Sequence, residues 1–122
     1  MPCLYISTNI NLDGVNIDPI FSQATTAVST IIGKPEKVSC VVTIYVQFVM
    51  VILKGSVPIS FEGNKEPAAY AEIVSMGGIN PEVKRKLINT IGTILQSNLS
   101  IPRTRFFLKV FDTTLFRTKS KM

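Results

Sequence analysis

Apolar and polar positions change period several times along the chain, and each change marks an element. Pro2 to Thr8 alternates as a strand does, and Asn9 to Asn16 then gathers the turn residues Asn, Asp and Gly. The period lengthens after that. Asp18 reads as an N-cap and Pro19 as the first helical residue, and Ile20, Ala24, Ala27, Val28 and Ile31 recur at helical spacing until Gly33 stops the run. A strand is expected within Phe48 to Leu53, ended by Lys54-Gly55-Ser56, with a short extended piece from Pro58 to Phe61 before the turn Glu62-Gly63-Asn64. Ala68 to Ser75 reads as a further strand, broken by Gly77-Gly78. Asn80-Pro81-Glu82 repeats the cap, proline and acidic first turn, and Val83, Leu87, Ile91, Ile94 and Leu95 mark a second amphipathic helix. Pro102 releases the chain into a last strand, Arg105 to Phe111.

The order strand, helix, strand therefore occurs twice. It predicts an α+β domain in which a four-stranded sheet, built from two β-α-β halves, carries two helices on one face. The other face must then take Tyr5, Tyr70, Phe107 and several Val and Ile residues. A face that apolar is expected to meet other subunits, and a closed homo-oligomer is the simplest way to cover it.

Composition narrows the picture. The 122 residues suffice for one domain, spanning 1–122, and 46% hydrophobic content is enough for a packed core. The net charge of +5 is scattered until the tail, with no alternation of basic and aromatic residues, so nucleic-acid binding is a weak alternative. Cys3 and Cys40 lie far apart and the chain has no histidine, which argues against a zinc site and for two reduced core thiols. No metal or organic cofactor is called for. The longest uncharged run, Val38 to Leu53, is shorter than a membrane helix and rich in β-branched residues, and the N-terminal residues lack the pattern of a secretory signal. The expected location is intracellular, with no membrane partner.

Several short motifs stand in a recognisable order: Pro2-Cys3-Leu4-Tyr5-Ile6-Ser7-Thr8-Asn9, Gly33-Lys34-Pro35, Phe61-Glu62-Gly63, Glu66-Pro67-Ala68, Ser75-Met76-Gly77 and the late run Arg105 to Asp112. Together they resemble the macrophage migration inhibitory factor and D-dopachrome tautomerase family, closest to its plant members, over nearly the whole chain except Lys37 to Phe48 and the residues after Asp112. The resemblance implies a homotrimer whose sheets form a central barrel. It also implies that Pro2, freed by removal of Met1, is the base for keto-enol tautomerisation of phenylpyruvate-like or dopachrome-like substrates. An apolar pocket and a nearby cation both disfavour the ammonium form of that secondary amine, leaving it able to take a proton from the carbon beside a carbonyl.

By the same resemblance, Lys34 matches the lysine that holds the substrate carboxylate and Met76 the position whose backbone helps bind it. On their own residue types, Lys34 also reads as an exposed cation after a helix stop, Met76 as a filler of core space, and Pro2 as a proline at a strand start. The departures are informative. Phe107 and Lys109 stand where animal members carry a tyrosine and an asparagine reaching in from the neighbouring subunit. Phe107 keeps an aromatic wall without a phenol, and Lys109 adds a cation that suits an anionic group. The C-x-x-C of the animal cytokine falls on Ala68-Ala69-Tyr70-Ala71, so a thiol oxidoreductase activity does not carry over.

The apolar segment at about 37–48 contains no Gly, Pro, Asn or Asp and occupies the place of a short link. It reads as an insertion, from an alternative splice form or a gene-model error, or as a lengthened strand and loop. The tail after Asp112 is short and ends Ser120-Lys121-Met122, which resembles the Ser-Lys-Leu peroxisomal signal. The expected function is thus a weak tautomerase of the peroxisome or cytoplasm acting on a small aromatic keto acid. The alternative is a non-catalytic, cytokine-like protein that binds a receptor or signalling partner.

Overall fold

A computed structural model describes residues 2–32 and 49–113. The strands are β1 (Cys3–Thr8), β2 (Met50–Lys54), β3 (Ala69–Ser75) and β4 (Phe106–Asp112), and the helices are α1 (Asp18–Ile32) and α2 (Pro81–Leu99). They form one mixed sheet in the order β2-β1-β3-β4. The pairs β1/β2 and β3/β4 are parallel, and β1/β3, which joins the two halves, is antiparallel. Each parallel pair is bridged by a helix, so the expected duplication of β-α-β is the architecture of the molecule.

The core lies between the sheet and the helices. Leu4 and Ile6 of β1 and Ala71 and Ile73 of β3 are fully buried, and Ile20, Ala24 and Val28 of α1 and Leu87, Ile91 and Leu95 of α2 pack over them. Strand residues two apart share a face and helix residues three or four apart share a stripe, which is why these positions meet. The opposite sheet face carries no helix. There Met50, Ile52, Phe107 and Phe111 are exposed, as the excess of apolar residues at alternate strand positions led one to expect.

Asn80 caps α2 as expected, its side-chain Oδ1 accepting from the Val83 N–H at 2.8 Å with Pro81 in the first turn. At the other end Ser100 takes φ +57° and its N–H donates to the Gln96 carbonyl. The first helix differs slightly from expectation. Asp18 lies inside its first turn rather than at the cap, because Asn16 Oδ1 already accepts from the Asp18 N–H and the Ile17 carbonyl accepts from Ile20 and Phe21.

The Pro58 to Phe61 piece joins no strand ladder, and Phe61 pairs with Asn64 in an isolated antiparallel bridge around the expected turn. One further expectation is corrected. Cys3 is half-buried on the open face rather than in the core, since it alternates with Leu4, which faces the helices. Cys40, the 37–48 segment, Lys34 and Ser120-Lys121-Met122 lie outside the described residues.

Candidate active site

The register of the sheet sends Pro2 and Met76 to one end and Phe107 to the other, with Lys109 between them. At one end Pro2 is buried where β1 begins, and its carbonyl accepts from the Met50 N–H at 3.0 Å, which ties the start of β1 to β2. Cys3 pairs with Val74 and Ser75 with Asp112, so Pro2 shares this end with the turn that follows β3. In that turn Gly77 and Gly78 take φ +85° and +78°, a region that favours glycine. Ser75 Oγ donates to the Gly77 carbonyl at 2.8 Å, and the Gly77 N–H donates to Asp112 Oδ1 at 3.1 Å. The tie to β4 fixes the backbone around Met76 while leaving its side chain 59% exposed. Met76 fills no core space.

At the other end stand Phe107 and its neighbours. Phe107 pairs with Tyr70 across β3/β4, and Tyr70 with Ser7 across β1/β3. Ser7 lies five residues on from Pro2, about 16 Å along a strand. One protomer therefore cannot bring Phe107 against its own Pro2. Phe107 is 60% exposed and stacks on Tyr70 with ring centroids 5.8 Å apart and planes 13° apart. Both rings line a cavity of about 300 Å3 with Phe61, Arg105 and Phe106. Lys109, two residues on, is exposed on the same face, its ammonium 4.6 Å from the centre of the Phe111 ring.

Arg105 organises this end. It is buried, and its guanidinium spends its donors on the loop from Phe61 to Pro67. Nε donates to the Pro67 carbonyl, Nη1 to Phe61, and Nη2 to Glu66 at 3.1 Å and Asn64 at 3.5 Å. Nη1 also lies 3.7 Å from the exposed Glu62 carboxylate, and the guanidinium sits over the Phe61 ring at 5.2 Å. Asn9, just after β1, holds the same loop: its Nδ2 donates to the Lys65 and Glu66 carbonyls and its Oδ1 accepts from the Ala68 N–H. The loop that walls the cavity is thus tied to the start of β4, the strand that carries Phe107 and Lys109.

A further contact lies between these residues. The Tyr70 hydroxyl donates to Glu72 Oε2 at 2.7 Å. That hydrogen bond, followed by desolvation and by the negative charge of Glu72, holds the Tyr70 phenol above its ordinary pKa. Sequence reasoning placed Tyr70 on the open face and left Glu72, Arg105 and Asn9 without roles. Glu72 had a usable signal, since it is two residues from Tyr70 and so shares its face. Arg105 had none: a basic residue at a strand start gives no sign that carbonyls from a distant loop converge on it.

A family model described as macrophage migration inhibitory factor matches residues 1–118. The chain is similar to the macrophage migration inhibitory factor homologue of Trichuris trichiura, 26% identical over 112 residues that cover 92% of this chain and 89% of that protein. It is also similar to the homologue of Trichinella spiralis, 29% identical over 108 residues, covering 88% and 85%. Among solved structures, the homologue from Prochlorococcus marinus superposes with a TM-score of 0.74 at 23% identity, covering 90% of this chain and 87% of the other. The protein from Oncomelania hupensis reaches 0.77 at 17% identity, covering 92% and 73%.

Proposed function

The chain belongs to the macrophage migration inhibitory factor family, and from that premise we propose that it is a tautomerase whose site forms between copies of the chain, with Pro2 as base. Proteins of this family are generally oligomeric. The observation that carries the proposal is the separation of Pro2 and Met76 at one end of the sheet from Phe107 at the other, with Lys109 midway along β4. Two partial sites that one protomer cannot join are completed when the Phe107 end of one copy meets the Pro2 end of the next. A homotrimer, the assembly typical of the family, supplies that meeting three times.

In this reading Met1 is removed and the Pro2 nitrogen becomes a secondary amine. It takes a proton from the carbon beside the carbonyl of a phenylpyruvate-type keto acid; the C–H electrons form the carbon–carbon double bond of the enol, and a proton is delivered to the former carbonyl oxygen. Lys34 and Lys109 hold the carboxylate, the backbone at Met76 contributes a contact, and Phe107 lies against the aromatic ring. No cofactor takes part. Phe107 has no phenol to orient the carbonyl, and loss of one such hydrogen bond costs on the order of a hundredfold in rate, so the activity is weak.

Mass spectrometry of the intact N-terminus combined with a phenylpyruvate tautomerase assay tests this. Pro2→Ala and a retained Met1 should each remove most of the activity, and Phe107→Tyr with Lys109→Asn should raise it. Activity that survives both Pro2 changes would place the base elsewhere. One observation favours the second reading, a non-catalytic protein-binding role: Pro2 is buried at the start of β1. Inactivity of the processed protein and of the Phe107→Tyr, Lys109→Asn variant would favour it. For the C-terminal Ser120-Lys121-Met122 the proposal is peroxisomal import; a fluorescent protein fused to the last ten residues tests it, and a diffuse cytosolic signal would reject it.

A further inference from the structure

Glu72 and Lys109 are direct partners in the parallel β3/β4 register and lie on the same open face. Opposite charges in such a position ordinarily meet, because their Cβ atoms are about 5 Å apart. Here they lean in opposite directions. Glu72 turns back along β3 toward the hydroxyl of Tyr70, and Lys109 leans forward along β4 over the ring of Phe111. Among the described residues Lys109 has no carboxylate partner. An exposed ammonium held over an aromatic ring keeps its charge available to a ligand.

We propose that Tyr70 is a positioning residue which, by holding the Glu72 carboxylate, keeps Lys109 available for the carboxylate of an anionic aromatic ligand. The proposal rests on the reading of Lys109 as a ligand-binding residue of the shared site. Geometry supports it from two sides. The Tyr70 ring also stacks on Phe107, so one side chain both supports the aromatic wall and occupies the neighbouring acid. The phenol donates to the carboxylate, and such charge-assisted bonds are among the stronger ones at a protein surface.

Removing only the hydroxyl separates these two functions. In Tyr70→Phe the ring still stacks on Phe107, while Glu72 is released toward Lys109. The probe is phenylacetate, an aromatic carboxylate without a keto group, and its Kd is followed by NMR titration of the assembled protein. An exposed Glu–Lys pair competing with the ligand should raise the Kd roughly twofold to fivefold in Tyr70→Phe. Adding Glu72→Gln should return it to the wild-type value, since the amide cannot neutralise Lys109. Lys109→Gln should weaken binding and make it indifferent to Tyr70→Phe. An unchanged Kd in Tyr70→Phe overturns the proposal, as does a loss that persists in the Glu72→Gln background, which would mean that Tyr70 acts through packing. Failure of the wild-type protein to bind phenylacetate overturns it as well. Because the readout is binding, absence of tautomerase activity alongside intact coupling would count against the catalytic reading alone.

Discussion

The two faces of the sheet are made by alternate residues of the same strands, and the contrast between them separates what holds this protein together from what it presents to others. Leu4, Ile6, Ala71 and Ile73 point to the helices and are fully buried. Tyr5, Glu72, Lys109 and Phe107 alternate with such residues and point away. The covered face is mostly apolar because it packs on the apolar stripes of the two helices, and its buried polar residues, Thr8 and Ser75, spend their hydroxyls on the Ala68 and Gly77 carbonyls. The open face mixes aromatic rings with charges, and these charges are partnered by aromatic side chains: Glu72 by the Tyr70 hydroxyl, Lys109 by the Phe111 ring. A surface evolved only for packing has no need of either charge, whereas one that meets a ligand or a second copy uses them for orientation.

The sharpest way to break this comparison is to truncate matched positions on the two faces. Ile73→Ala, in the core, should cost about 2–5 kcal/mol in denaturant unfolding, with a cavity left between the sheet and the helices. Val74→Ala, its neighbour on the open face, should cost clearly less within the protomer. Equal losses would mean that the open face contributes to the protomer's fold as much as the core does.

Arg105→Ala comes next. It leaves several loop carbonyls without their charged donor and should destabilise the protein by on the order of 3 kcal/mol, with early loss of hydrogen-exchange protection in residues 61–67. Arg105→Lys should recover only part of this, because an ammonium cannot match a planar fork of donors directed at four carbonyls. Full recovery would show that charge alone holds the loop.

Changes confined to the open face should leave the fold and alter assembly. Phe107→Glu should lower the mass seen by light scattering while far-ultraviolet circular dichroism and the unfolding cooperativity of the protomer are retained. An unchanged mass would move the contact between copies away from this face.

The smallest expected effect is a pH dependence. The folded-state pKa of Tyr70 is raised, so its contribution to stability is fully present below the ordinary tyrosine value and is lost as pH rises through the raised one. Ultraviolet titration should show a tyrosine step above the ordinary tyrosine value, and Tyr70→Phe should remove that step. Glu72→Gln should move it back toward the ordinary range.

Most elements were legible from local pattern. The strand Ala69–Ser75 and the start of the helix Pro81–Leu99 agree with expectation to within a residue because alternation, an Asn cap and a first-turn proline are local facts that no distant contact overrides. The misreadings occur where a neighbouring residue decides. Asn16 accepts from the Asp18 N–H, which draws Asp18 into the first turn it was expected to cap, and strand alternation turns Cys3 out of the core it was expected to join. Of the candidate site, Pro2, Lys34, Met76, Phe107 and Lys109 were proposed by resemblance, and Tyr70 was placed on the open face with Phe107; nothing local connected them to one another.

The sequence by itself determined the repeated strand, helix and strand, which face of each element is apolar, and the presence of a second apolar sheet face that its own helices cannot cover. These follow from periodicity, which is a property of neighbours along the chain. Only the tertiary structure decided the register that sends Pro2 and Phe107 to opposite ends of the sheet, the convergence of carbonyls on Arg105, and the choice of Glu72 to bond Tyr70 rather than Lys109. Each of those depends on which strands lie side by side and with what offset. A shift of one residue in that offset would exchange the faces of a strand, so no stretch of sequence read alone contains it.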